Sequence, residues 1–176
     1  MKKRDKNVSG IQIRIAGLSN GVHEYHFSIT PADLLLEKYF RSEIEIDAQL
    51  EKTSRQLLLR TNIRTAAVFQ CDRCLKDFNQ PLKTEYSLFY FYREDEIEKL
   101  NVEEVSIIAP DTVSIDLAED VRQMILLSVP LKLLCTETCK GLCPGCGNDL
   151  NFHPCSCEKE QIADPRWQGL KDLLNK

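Results

Sequence analysis

Eight cysteines carry the clearest chemical signal in this chain of 176 residues. They are Cys71, Cys74, Cys135, Cys139, Cys143, Cys146, Cys155 and Cys157. Close pairs of thiolates, brought together from distant parts of a chain, are typical ligands of a tetrahedral zinc ion. Zinc suits four soft thiolate donors in a closed, redox-silent site better than the other common metals. The pattern therefore predicts structural zinc, with all eight cysteines as candidate ligands.

The spacing of the cysteines favours two zinc ions. The simplest pairing puts Cys143, Cys146, Cys155 and Cys157 on one ion, because the residues between the two pairs are enough for a hairpin that folds back. The other four cysteines would then share the second ion. A competing arrangement has a single ion held by the upstream pair and one late pair, with spare thiols. His153 lies among the late cysteines and is expected to be a loop residue, not a ligand.

Other uses of the thiols are weighed by compartment and by position. Disulfides need an oxidising compartment, and the start of the chain, MKKRDKNVSG, has no apolar run of the length of a signal peptide. We therefore expect a reducing, cytoplasmic location. A redox-active Cys-x-x-Cys pair usually opens a helix after a strand, and neither pair is so placed. An iron–sulfur cluster uses the same ligands and remains an alternative to zinc. Thiols that bind no metal are a second alternative.

Charge is spread unevenly along the chain. The formal net charge of −4 argues against a protein that simply coats nucleic acid. From residue 52 to 83 the sequence carries +5, and from 93 to 120 it carries −8. One interpretation is a solvated polar surface, and the sharper one is a basic face for RNA opposite an acidic face. The candidate RNA-binding residues are Arg55, Arg60, Arg64, Arg73, Lys76 and Lys83.

Alternating apolar residues predict strands in the first half of the chain. The predicted strands cover 11–16, 22–29, 42–52, 57–69 and 82–92. Asn20-Gly21 is a tight-turn signal and predicts that the first two strands form a hairpin. A short helix is expected after Thr30-Pro31. The first cysteine pair falls in the turn between the last two strands.

Helices are predicted mainly in the second half. Ser114 or Asp116 would cap a helix that ends before Pro130, and a final helix would start at Asp164-Pro165. This order indicates an α+β fold. We expect an antiparallel, strand-rich N-terminal body with a long helix over 10–130, and a cysteine-rich, zinc-ribbon-like segment over 131–176 packed on it. No stretch approaches the roughly 20 apolar residues of a membrane span.

The sequence offers no constellation for catalysis. A phosphate-binding glycine loop, an HExxH motif and a nucleophile elbow are all absent from the sequence. Closed thiolate sites imply no open coordination position for a substrate. We therefore expect a protein that is not an enzyme and has no small-molecule substrate.

Several motifs together resemble the YceD family, the large ribosomal RNA subunit accumulation proteins. They are FQCDRCLKDF at 69–78, the stretch from Leu134 to Asn151 that contains CKGLCPGCGNDLN, the CSC of 155–157 and the DPR of 164–166. The resemblance runs over roughly residues 10 to 175, in the same order along the chain. It implies a cytoplasmic bacterial or organellar protein that is needed for large-subunit ribosomal RNA to accumulate. It implies no catalytic residues.

Three hypotheses follow. The first is a non-catalytic factor that supports large-subunit ribosomal RNA accumulation and ribosome assembly, by binding ribosomal RNA, a large-subunit precursor or an assembly protein. The second is a zinc-stabilised protein-interaction adaptor without direct RNA contact. The third, an RNA-processing enzyme, has no supporting residues.

Overall fold

The computed structural model describes residues 10–93 and 105–157 of the chain. These contain seven strands, one α-helix and one short 3₁₀ turn at Pro31–Leu34. The elements are β1 (Gln12–Arg14), β2 (Gly21–Ile29), β3 (Ile44–Lys52), β4 (Gln56–Gln70), β5 (Asp77–Phe91), β6 (Val105–Ile107), β7 (Ser114–Asp116) and α1 (Ala118–Leu127).

A five-stranded sheet in the order β2-β3-β4-β5-β6 forms the body. Strands β2 to β5 are antiparallel neighbours in sequence order. The pairing of β4 with β5 is the longest, running from Gln56 opposite Phe91 to Gln70 opposite Asp77. Strand β6 adds a short parallel pairing at the end of β5. The long β4–β5 hairpin therefore carries its connecting turn well away from the opposite end of the sheet.

One face of the sheet is apolar and buried, as the alternation along β3 and β4 predicts. Ile44, Ile46 and Leu50 of β3 are all buried, as are Leu57 and Leu59 of β4. Helix α1 belongs to the same core through its own buried apolar stripe, which consists of Ala118, Val121 and Ile125 and follows the buried Leu117. The predicted α+β class, with a mostly antiparallel sheet and one described helix, is confirmed.

The predicted hairpin between the first two strands is wrong. Strand β1 pairs with β7, with Ile13 opposite Ile115, in a separate two-stranded sheet. Strand β2 instead pairs along its whole length with β3. The physical reason is burial: Ile11, Ile13 and Ile15 lie on one side of this segment, and all three enter the core. That long-range burial outweighs the local turn signal of Asn20-Gly21.

Two predicted helices are shorter in the structure. After Thr30 the chain makes only a 3₁₀ turn, which ends at Leu35 with φ of 52°. The residues expected to start the later helix lie in β7, and α1 begins at Ala118, whose N–H donates to Asp116 Oδ1 at 2.9 Å. Asp116 thus satisfies a helix-start N–H from within a strand. The predicted helix from Asp164 lies outside the described residues, and the division of the chain at residue 130 stays a prediction.

No helix in the described ranges is long and apolar enough to cross a membrane.

Candidate metal centres

The first cysteine cluster joins two distant segments of the chain. It consists of Cys71, Cys74, Cys135 and Cys139, whose sulfur atoms all lie within 4.8 Å of one another. The Cys71 and Cys139 sulfurs are 3.9 Å apart, and those of Cys74 and Cys135 are 3.6 Å apart. Four sulfurs at about 2.3 Å from a tetrahedral zinc ion would be separated by about 3.8 Å. The spacing therefore fits a tetrahedral thiolate site.

The turn between β4 and β5 holds two of these ligands in place. The Cys71 N–H donates to the Lys76 carbonyl, and the Leu75 N–H donates to the Cys71 carbonyl, both at 2.9 Å. Asp72 fastens the turn to the segment that follows α1. Its N–H donates to the Leu133 carbonyl, and its Oδ2 accepts from the Leu133 N–H at 2.7 Å. The second pair of ligands is thereby brought beside the first.

The electrostatics of this cluster favour a bound cation. Burial by itself raises the pKa of the Cys71 thiol, but the N–H groups of Cys135, Cys74 and Arg73 donate to its sulfur and bring the pKa down to about 6. Burial and the neighbouring thiols raise the pKa of Cys135 to about 12. The Cys71 thiol therefore ionises readily, whereas ionisation of the Cys135 thiol is opposed. A divalent cation among the sulfurs allows all four thiols to ionise together.

The second cysteine cluster is built within one short segment. Cys143, Cys146, Cys155 and Cys157 also have all their sulfurs within 4.8 Å of one another. A small hairpin supports the first pair: Leu142 bridges Asp149 in antiparallel fashion, and the Cys143 N–H donates to the Asn148 carbonyl at 2.8 Å.

Backbone N–H groups at the turn of this hairpin point at sulfur. The Gly145 N–H lies 3.4 Å from the Cys143 sulfur. Hydrogen bonding from the Cys146 backbone, and then from the Cys155 thiol, lowers the pKa of Cys143 to about 6. The thiols of Cys146 and Cys155 raise the pKa of Cys157 to about 12. The second cluster thus has the same four thiol donors as the first, with one thiol pKa lowered and another raised. A cation among the sulfurs would favour ionisation of all four thiols here as well.

The structure brings the eight cysteines together in the two groups of four that their spacing favours. His153 belongs to neither group; its N–H donates to the Asp149 carbonyl. The competing arrangement, with the upstream pair and a late pair around one ion, would require sulfurs from the two clusters to meet in a single group. Both clusters are compatible with metal, and zinc stays the prediction.

The six basic residues predicted to bind RNA are not gathered in one patch. Arg55 precedes β4 and Arg73 follows it, so the whole strand of 15 residues separates them, or roughly 45 Å. Arg60 and Arg64 share the outer face of the sheet, but each approaches an acid of β3: Arg60 lies 3.6 Å from Glu51 and Arg64 lies 2.7 Å from Asp47.

The remaining three predicted RNA-binding residues differ in their contacts. Arg73 donates to the Cys139 carbonyl at 2.6 Å. Lys76 makes a 2.8 Å ion pair with Asp149 and lies 3.8 Å from the centre of the Phe152 ring. Lys83 is exposed on β5, opposite Arg64. Arg73 and Lys76 thus join the two parts of the candidate metal-binding end, residues 71–77 and 131–157. An RNA contact by any of the six stays a prediction.

Sequence reasoning missed Asp149 and Asn151. Both are polar residues of a loop between cysteines, and no spacing rule distinguishes them from solvated loop residues. In the structure they contact the first cluster or its turn. Their position between two ligand pairs of the second cluster, inside the family-like motif CKGLCPGCGNDLN, is the signal that could have drawn attention to them.

Comparison with known proteins places the chain in a family. The family described as large ribosomal RNA subunit accumulation protein YceD matches residues 59–174. The uncharacterized protein YlbN of Bacillus subtilis is 30% identical over 135 residues, covering 76% of this chain and 75% of YlbN. An uncharacterized protein of Mycobacterium tuberculosis is 29% identical over 132 residues, covering 74% of this chain and 62% of its own length.

A more distant relative carries the family name. The chloroplastic large ribosomal RNA subunit accumulation protein YCED homolog 1 of Arabidopsis thaliana is 20% identical over 145 residues, covering 67% of this chain and 44% of its own. The chain therefore spans less than two thirds of the length of its mycobacterial and plant relatives. No solved structure matches the chain. The family match extends from β4 through both cysteine clusters, and on this ground the chain belongs to the YceD family.

Proposed function

We propose that this protein is a non-catalytic, cytoplasmic factor that supports the accumulation of large-subunit ribosomal RNA and ribosome assembly. The observation that carries the proposal is the YceD family match over residues 59–174. The matched region includes the β4–β5 hairpin and all eight cysteines. The factor acts by binding ribosomal RNA, a large-subunit precursor or an assembly protein.

Each cysteine cluster holds one structural zinc ion in this proposal. Two groups of four thiols, each with all its sulfurs within 4.8 Å of one another, support it. A bound zinc ion would supply the positive charge that thiolates so close together need to offset their mutual repulsion. The chain's residues do the rest: Asp72 fastens the β4–β5 turn to Leu133, and the small hairpin orients Cys143 and Cys146.

The surroundings of His26 support a role without catalysis. His26 Nδ1 lies 2.8 Å from Asp47 Oδ1, and its Nε2 lies 3.0 Å from Glu45 Oε2. The hydrogen bond that the ring makes to Asp47 raises the pKa of His26 above its usual value. Both nitrogens of the His26 ring face carboxylates, so neither is free to act as a general base.

A specific observation favours the second candidate, a protein-interaction adaptor without direct RNA contact. Residues 71–77 and 131–157 together contain four basic and four acidic residues, so their formal charge is zero. Each zinc ion with four thiolates adds a charge of about −2. The loaded metal-binding end would therefore repel phosphate and attract a basic protein surface.

Sedimentation with large-subunit precursors tests both candidates. Tagged protein is run on a gradient of cell extract, with and without RNase. Direct RNA binding predicts that RNase releases the protein and that the association falls steeply with salt. An adaptor predicts that the protein stays with ribosomal proteins after RNase. Absence from precursor fractions under all conditions would overturn the proposed function.

Charge reversal identifies the RNA-binding residues. Arg55→Glu with Lys83→Glu is the informative pair, because both residues are exposed and neither holds the metal-binding end. Reversal of Arg73 or Lys76 would also break the contacts described above. Arg41→Glu with Lys38→Glu is the matched control, with an equal charge change at exposed or part-exposed positions outside the predicted set. Loss of precursor association in the first pair alone supports RNA binding by the basic residues, and equal behaviour of the two pairs contradicts it.

A further inference from the structure

The loop between the two ligand pairs of the second cluster reaches into the first cluster. Asn151 lies in this loop, between Cys146 and Cys155. Its Nδ2 donates to the Cys139 sulfur at 3.4 Å, and its Oδ1 accepts from the Lys140 N–H at 2.8 Å. One side chain from the second cluster therefore contacts a ligand of the first cluster and the backbone next to it.

Asp149 holds the Asn151 amide in this orientation. Its Oδ1 accepts from the Asn151 Nδ2 at 2.7 Å and from the Asn151 backbone N–H at 2.9 Å. Its Oδ2 pairs with Lys76, which comes from the turn that carries Cys71 and Cys74. The Asn151 amide is thus oriented by a residue that is itself tied to the first cluster's turn.

The backbone between the clusters is packed closely. Gly141 has φ of 78°, and a Cβ at this position would lie 2.9 Å from the Arg73 carbonyl oxygen. The Leu142 N–H donates to the same carbonyl at 3.1 Å. A substitution at Gly141 would force the two segments apart. The two segments are therefore in direct backbone contact, which brings the loop with Asn151 beside the first cluster.

We propose that the two clusters bind their ions cooperatively, with Asn151 as the positioning residue that couples them. An ion in the second cluster fixes both ends of the loop that carries Asn151, and so fixes its amide on the Cys139 sulfur. A hydrogen bond to a ligating sulfur holds that ligand in place, as other contacts to metal ligands do. By linkage, an ion in the first cluster strengthens binding at the second by the same factor. The inference rests on the proposed metal sites and adds a relation between them.

Cobalt titration measures the coupling directly. Co²⁺ is added to the metal-free full-length chain under anaerobic, reducing conditions, with a competing chelator, and the tetrahedral thiolate absorption is followed. The affinity of the first cluster is measured in the unchanged chain and in Cys146→Ser/Cys157→Ser, in which the second cluster cannot close. We expect the first cluster to bind Co²⁺ about 10-fold or more weakly in that variant, in line with the loss typical of contacts to metal ligands.

Asn151→Ala completes a double-mutant cycle with the cysteine changes. In this background, opening the second cluster should no longer weaken the first. Asn151→Asp should weaken the first cluster more than Asn151→Ala does, because it presents a carboxylate to the thiolate. Loss of the N–H donor should also shift the Co²⁺–thiolate charge-transfer band of the first cluster, which a purely structural role would leave unmoved. Asn148→Ala, an exposed change in the same hairpin, is the control and should preserve coupling.

The outcomes separate this inference from the zinc proposal. Two ions bound with affinities that do not depend on each other, or coupling that survives Asn151→Ala, would overturn the coupling and leave the sites standing. No tetrahedral Co²⁺ signal in the unchanged chain would overturn the metal sites themselves. Circular dichroism of the sheet in each variant shows that the body remains folded, so that a weakened site is not mistaken for unfolding.

Discussion

The two cysteine clusters each offer four thiol ligands, but they differ in burial and in how far apart in the sequence their ligands lie. In the first cluster Cys71, Cys74 and Cys139 are no more than 4% exposed, whereas Cys146 and Cys157 of the second are exposed. The first joins the β4–β5 turn to a segment more than 60 residues later, and the second closes within residues 143–157. A metal ion in the first would therefore stabilise the tertiary fold, and one in the second would stabilise a local element that packs on it.

The body of the protein has an apolar core of its own. The buried residues of the sheet and α1 form one cluster, and Cys71, Cys74 and Cys139 form a separate, smaller one with Phe78, Leu134, Cys135 and Leu142 at its border. Because the larger core does not include the cysteines, removal of metal should act mainly on the cysteine-rich end.

The largest expected effect comes from removing one ligand of either cluster. Cys74→Ser should lose one ion and destabilise the metal-binding end strongly, since structural zinc sites contribute roughly 10–16 kcal/mol of apparent binding free energy in small peptides. Cys146→Ser should also lose one ion but leave the β4–β5 turn attached at excess zinc. Native mass spectrometry gives the metal count, and thermal unfolding gives the stability.

These two variants also test the grouping of the ligands. If Cys146→Ser lost both ions at saturating zinc, the two groups of four would not be separate sites. If protein purified without chelator carried no metal, structural zinc itself would be excluded. Asn148→Ser, on the same hairpin, controls for the substitution and should retain two ions.

The second cysteine cluster was predictable because its spacing is local, and the first consists of the four cysteines that then remain. Two ligand pairs separated by a short loop can close on one ion almost regardless of the rest of the fold, so the second cluster followed from its spacing. The long strands followed from alternation, as in Ile44, Ile46 and Leu50. The pairing of β1 with β7 could not be predicted in this way. It depends on which distant strand buries Ile11 and Ile13, and the local turn signal at Asn20-Gly21 carries no information about that.

The contacts between the clusters were unpredictable for a related reason. Lys76 reads as one member of a basic stretch, and its pairing with Asp149 arises only when the two cysteine segments are packed together. The same holds for Asn151 and the Cys139 sulfur. Net charge along a sequence thus overstates the basic surface, since Arg60, Arg64 and Lys76 all approach acids in the folded protein.

The second prediction concerns the order in which the ions leave. Because Cys146 and Cys157 are exposed and the first cluster is mostly buried, a chelator should remove the ion of the second cluster first. Hydrogen exchange during chelation should show early loss of protection in residues 143–157, later loss in 71–76, and little change in β3. Mapping by a thiol-alkylating reagent gives an independent measure, with Cys146 and Cys157 labelled before Cys71. Simultaneous loss of protection at both clusters would show that burial does not set the order.

The smallest expected effect concerns the residue that directly follows each of the two Cys-x-x-Cys pairs. Gly147, after Cys146, has φ of 75°, and Leu75, after Cys74, has φ of 60°. The left-handed conformation costs a residue with a Cβ roughly 1–2 kcal/mol, while glycine and asparagine adopt it more readily. Nothing lies within 4 Å of a Cβ built at Gly147, so Gly147→Ala should destabilise the loaded protein by about 1 kcal/mol through backbone strain alone.

Leu75 should respond in the opposite direction. Its side chain is 55% exposed, so Leu75→Asn removes little buried apolar surface while it relieves the backbone strain. We expect the zinc-loaded Leu75→Asn protein to be as stable as the unchanged chain or more stable, by up to about 1 kcal/mol, in denaturant unfolding. Leu75→Gly should gain less, because glycine adds about 0.5–1 kcal/mol of backbone entropy to the unfolded state. If Leu75→Asn were instead as damaging as Gly147→Ala, the leucine side chain would contribute packing at the first cluster that outweighs its strain. The two turns would then differ in their packing and not only in the residue that each places at positive φ.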